Sequence, residues 1–195
     1  MFFNYKEDCF GVNIFNEVTL LNFVAQSYAK SALELYKKVA EYDSEDANEE
    51  KDTTYFYLPA KFCFRQYLEL KLKCLIMIYK EKSFKTIHKL SSLLEEVKKS
   101  GFNYQVFSEP IQYIENIENG DCTLFRYLID KDFNSKRNFL IPMFDYEKVK
   151  QYIDNIENKY EWFIAENWMK KSCNYRCGIG RCITYQDYRN LLEDK

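Results

Sequence analysis

Glycine and proline are scarce in this chain: 195 residues hold 5 Gly and 3 Pro. With so few breakers beside many Lys, Glu and Leu, helices are the expected building unit. Histidine occurs once, at His88. No apolar run approaches the ~18 residues of a membrane span. The opening MFFNYKEDCF lacks the basic region and long apolar stretch of a signal peptide. The expected location is therefore cytoplasmic, with no membrane partner. Charge of one sign is also lacking, since 28 Lys and Arg against 30 Asp and Glu leave a net −2. That excludes a strongly basic nucleic-acid-coating protein and leaves room only for a local basic patch. No P-loop, GxGxxG or GxSxG motif occurs, and no cofactor is expected.

What the chain does have is apolar and aromatic mass. Apolar residues make up 47%, with 17 Tyr and 16 Phe, which excludes bulk disorder. The length suits one domain able to bury a core without staples. Seven Cys are present, but without a secretory signal they read as free thiols; Cys63 and Cys74 sit in apolar helical stretches.

Helical periodicity marks five segments, one of them short. From Glu17 to Tyr42, Leu20, Leu21, Val24, Tyr28, Leu35 and Val39 form a stripe, with Asn16 as N-cap and Phe15–Leu20 as a staple. The acidic stretch 43–52 reads as a solvated linker. From Thr54 to Lys80 the chain is apolar nearly all round, which predicts a central, buried helix. Its polar exceptions Lys61, Arg65, Glu69 and Lys73 follow at spacing four, so Glu69 can pair with Arg65 and Lys73. A third helix is expected from a Thr86 N-cap to Gly101, with Leu90, Leu93, Leu94 and Val97 inward. His88 would fall in its first turn, where the helix dipole favours a neutral ring. A short helix is expected after Pro110, with Ile111, Ile114 and Ile117 inward and Gly120 at its end. Asp145 should cap a last long helix that buries Tyr146, Val149, Ile153, Ile156, Tyr160 and Phe163. Between these two, TLFRYLI (123–129) and NFLIPM (138–143) flank a polar turn and suit a small β-hairpin or extended arms.

The expected fold is all-α and four-helix-bundle-like. A small extended or β-hairpin insertion precedes the last long helix, and a short C-terminal extension follows it. One helical-bundle domain spans 1–170, and a Cys-containing basic extension spans 171–195.

Two stretches resemble HEPN-domain proteins, a four-helix-bundle family of toxin–antitoxin and antiviral systems. One is Arg65-x-x-x-Glu69-x-x-x-Lys73 followed by His88-x-Leu90-x-x-Leu93; the other is Phe125-Arg126-Tyr127 with Asp130. The resemblance spans about Glu17 to Trp168. It implies a bundle that acts on or binds RNA in a bacterial or phage conflict system, as a homodimer and without metal. Active members use an Arg and a His four to six residues later on the last helix. Asp145 to Trp168 holds neither residue type, and His88 has no Arg at that spacing before it. The usual ribonuclease motif therefore does not carry over.

Another set could do the work: Arg65, Glu69, His88 and Arg126. RNA cleavage to a cyclic phosphate needs a base, an acid and a cation for the phosphorane. His88 could be acid or base, and Arg65 or Arg126 could hold the phosphate. Equally, Arg65, Glu69 and Arg126 could be an ion network that locks the bundle, with His88 merely satisfying a loop. Lys73, Arg176 and Arg181 are candidate RNA contacts, the last two beside Tyr175 and Tyr185 in a basic tail. Cys173, Cys177 and Cys182 lack a fourth local ligand, Cys122 being distant, so no metal site is expected and thiolates near cations remain the alternative. The competing function is a non-catalytic helical module that binds a protein partner, such as a nucleotidyltransferase or a defence-complex subunit.

Overall fold

The computed structural model describes residues 9–44, 54–80, 87–118 and 145–174. They form α1 (Cys9–Ser44), α2 (Thr54–Lys80), α3 (Leu90–Lys98), α4 (Gln105–Glu118) and α5 (Tyr146–Asn174). No strand occurs among the described residues, so the chain is an all-α helical bundle. Two compact units divide it, Met1–Ile153 and Asp154–Lys195. α5 crosses that division and runs on through position 170. The expected hairpin or arms, Arg126, Cys122 and the tail with Arg176, Arg181, Cys177 and Cys182 lie outside the described residues.

In the first unit α1 and α2 are an antiparallel pair. Cys74 Sγ reaches the Val18 carbonyl, Lys71 reaches Asn22, Phe62 meets Tyr28 and Tyr57 meets Tyr36, so positions rise on one helix as they fall on the other. α3 and α4 also pack on α2, which makes it the central helix its all-round apolarity predicts. Phe64, Tyr67, Leu68, Leu72 and Leu75 are fully buried.

The buried face of α1 differs from the expected stripe. It is Val18, Ala25, Ala29, Ala32, Tyr36 and Val39, one spacing of seven followed by alternating fours and threes, while Leu20 and Phe23 are each 66% exposed. Alanine at the contact lets two helix axes approach closely, and the bulk is supplied by α2. α1 also begins at Cys9, so Asn16 lies inside the helix rather than capping it.

α3 and α4 depart from expectation at their starts. Residues 87–89 are non-helical and Lys89 is the N-cap, with no side-chain cap bond, so the first helical residue is Leu90. The cap is supplied in trans: Ser91 N–H donates to Glu115 Oε1 of α4 at 2.7 Å. The α3 stripe, Leu90, Leu93, Leu94 and Val97, is buried as expected. Gly101 follows at φ 80°, a left-handed conformation that a side chain would strain. α4 begins at Gln105, and Pro110 sits buried inside it. The backbone bond that Pro110 forgoes is offset by burying Phe107, which packs on Phe102 with ring centroids 5.9 Å apart. Ile111, Ile114 and Ile117 face inward as expected.

At the start of α5, Asp145 Oδ1 accepts the Lys148 N–H at 2.6 Å, the capping geometry the sequence predicts. Asp145→Ala should lower the unfolding free energy by about 1 kcal/mol in urea denaturation. An unchanged midpoint would mean that α5 starts elsewhere. In the first unit α5 buries Val149, Tyr152 and Ile153, and Tyr67 donates to the Ile153 carbonyl at 3.5 Å. In the second unit Ile156, Tyr160 and Ala165 are its buried positions, and Trp162 is 76% exposed.

Candidate functional site

α2 projects Lys61, Arg65, Glu69 and Lys73 from successive turns, and the first three are buried. Arg65 is spent in three directions. Nη1 donates to Glu69 Oε2, Nε donates to Glu118 Oε1 at 2.6 Å, and Nη2 donates to the His88 carbonyl at 2.7 Å. One guanidinium thus fastens α2 to α4 and to the residues leading into α3. The planar fork suits this, because its donors point to separate acceptors in one plane.

Glu69 is filled on its other oxygen. Oε1 accepts from Lys73 Nζ at 2.6 Å and lies 3.0 Å from His88 Nδ1. Burial pushes the Glu69 carboxyl up, but the bonds from Lys73 and Arg65, the Arg65 charge and the His88 bond outweigh it. The result lies below the usual carboxylate range. Glu118 goes the other way: burial, aided by Glu115 and Glu69, lifts its carboxyl above that range against the pull of Arg65. Burial pulls the Arg65 guanidinium down, but Glu118 and Glu69 together raise it, so it stays charged. The network holds two cations, two carboxylates and a histidine.

Of the expected catalytic residues, the structure brings Arg65, Glu69 and His88 together and adds Lys73. Arg126 lies outside the described residues. His88 is not in a helical turn as the sequence suggested. It precedes α3 by two residues, and its side chain is 48% exposed. A carboxylate can only accept, so in this contact Nδ1 carries the hydrogen and Glu69 Oε1 accepts it. The Arg65 and Glu69 side chains are about 2–3% exposed, so both are largely sealed from solvent.

Glu118 was missed by spacing logic, which sees only neighbours on one helix. A signal was present: Glu118 continues the stripe of Ile111 and Ile114 at seven and four residues, and a carboxylate in an apolar stripe needs a buried cation. Glu115, three residues earlier, caps α3.

Lys61, at the head of the row, has a different setting. Its Nζ sits 3.8 Å from the centre of the Tyr57 ring, and burial pulls the amine down to about 7. Among the described residues no group of His, Cys, Asp and Glu is placed to hold a metal ion, and no described helix is long and apolar enough to cross a membrane.

No protein family, curated protein or solved structure matches the chain. The class that the structure defines is an all-α helical bundle with a buried Arg–Glu network at its centre.

Proposed function

We propose that the chain is a non-catalytic helical interaction module that binds a protein partner through the outer face of α1. The observation that carries this is the cluster Leu20, Phe23 and Val24, three apolar residues at helical spacing that stay 66%, 66% and 37% exposed. Single exposed apolar residues are ordinary; three adjoining on one helix mark a contact surface. The Arg65–Glu69–Glu118 network supports the same reading, because its members are buried and bonded to one another, away from where a substrate would bind.

A photo-crosslinker placed at Phe23 should give one discrete protein adduct, and one placed at exposed Glu95 on α3 should give none. An adduct of twice the chain mass would identify the partner as a second copy. Adducts at both positions, or at neither, would overturn the reading.

The second reading is an RNA-acting, HEPN-like protein of a conflict system. One observation favours it: the half-exposed His88 is oriented by buried Glu69, with Lys73 on the same oxygen, an arrangement suited to general acid–base chemistry. Purified chain incubated with total RNA and tRNA in EDTA separates the two. The interaction-module reading expects no cleavage. Metal-independent cleavage abolished by His88→Ala would replace it.

A further inference from the structure

The outer face of α1 carries a charge pattern as well as apolar surface. Glu17, Leu20, Val24, Ser27 and Ser31 alternate at threes and fours, with Phe23 and Lys30 beside them, and every one is exposed. That spacing keeps them on one stripe, turned away from the alanine face that meets α2. The stripe is acidic at its start, apolar in its middle and basic toward its end. Its serines are already satisfied: Ser27 Oγ donates to the Phe23 carbonyl and Ser31 Oγ to the Ser27 carbonyl, each at 3.0 Å. Covering them costs little, because neither hydroxyl loses its partner when water leaves. The two charges differ. Glu17 and Lys30 make no ion pair or hydrogen bond among the described residues. Thirteen residues of helix, about 20 Å, hold them apart within one chain.

We propose that the occupant of this face is a second copy of the chain, laid antiparallel across it. The proposal rests on the reading of the outer α1 face as a contact surface and names what covers it. A two-fold axis between Phe23 and Val24 sets Phe23 against the partner's Val24, Leu20 against the partner's Ser27 and Glu17 against the partner's Lys30. Each pair then occurs twice, as a two-fold interface requires. The large Leu20 meets a small serine, and the acid at one end meets the base at the other. Glu34, one turn past Lys30, meets no acid, since position 13 is Asn. A parallel pair would put Glu17 on Glu17 and Lys30 on Lys30. The charges therefore choose both the occupant and its direction, because the complement of an acid–apolar–base stripe is the same stripe reversed. Three apolar side chains per copy make a small contact, so the dimer is weak and reversible.

Sedimentation velocity of the purified full chain across a dilution series tests this. Mass should move from monomer toward dimer as concentration rises. Phe23→Ser should abolish the dimer over the same range. Glu17→Lys and Lys30→Glu should each weaken it about tenfold, because each turns two attractive contacts into two repulsive ones. An equimolar mixture of the two reversed chains should dimerise as the wild type does, and so should the chain carrying both reversals. All three positions are exposed, so these substitutions leave the bundle intact. A dimer that survives Phe23→Ser, or charge reversals that leave it unchanged, would overturn the proposal. A chain that stays monomeric throughout would also overturn it; a Phe23 adduct to a different protein would then leave the contact-surface reading in place with another occupant.

Discussion

Arg65→Met is expected to lower the unfolding free energy by about 3–5 kcal/mol, the cost of removing one member of a buried ion network. The reason lies in what remains. Glu69 keeps Lys73 and His88, but Glu118 loses its only partner among the described residues. Its carboxyl is already lifted by burial, so without the guanidinium it takes a proton or pulls α4 away from α2. The His88 carbonyl loses its donor in the same step, and with it the anchor of the residues leading into α3. Glu118→Gln should cost less, about 1–3 kcal/mol, because the amide oxygen still accepts from Nε. The double variant Arg65→Met/Glu118→Met should recover part of the Arg65→Met loss, since it removes the stranded carboxylate. Urea denaturation of the three variants measures these differences. A loss below about 1 kcal/mol for Arg65→Met would mean that water reaches the network and screens it.

The part of this network on α2 is legible in the sequence, and the reason is geometric. Residues four apart on a helix are neighbours whatever else the chain does, so Arg65, Glu69 and Lys73 follow from their spacing once the helix is granted. Their burial follows from the apolar residues on all sides of them. What the spacing does not contain is the partner from elsewhere. Glu118 meets Arg65 across 53 residues of chain, and only a carboxylate sitting in an isoleucine stripe announced it. His88 shows a different failure. Thr86 has the chemistry of an N-cap, and the expected helix started there; the structure starts at Leu90 because Glu115 of α4 satisfies the first turn. A cap supplied from another helix leaves no mark beside the helix it caps. The Glu69–His88 contact is visible only after that loop is in place, and so is the exposure that makes His88 the one open group of the set.

The pairing of α1 with α2 gives the second large effect, and it runs against the ordinary weighting of side chains by size. Ala32→Leu should destabilise the chain by about 1–3 kcal/mol. Ala32 is fully buried on the face turned to α2, between Ala29 and Tyr36, and a leucine there must push the axes apart or force a rotamer. Tyr36 then loses its edge-on contact with Tyr57. Leu20→Ser, which deletes a far larger apolar side chain, should stay within about 0.5 kcal/mol, because Leu20 is 66% exposed. Thermal and urea denaturation of the two variants side by side read the orientation of α1 directly. The order reversed, with Leu20→Ser the more damaging, would mean that the large residues face inward and would remove the exposed cluster on which the partner surface rests. The expected order means that α1 buries its small residues to pack closely and keeps Leu20, Phe23 and Val24 on the outside, where selection for folding alone gives no reason for them.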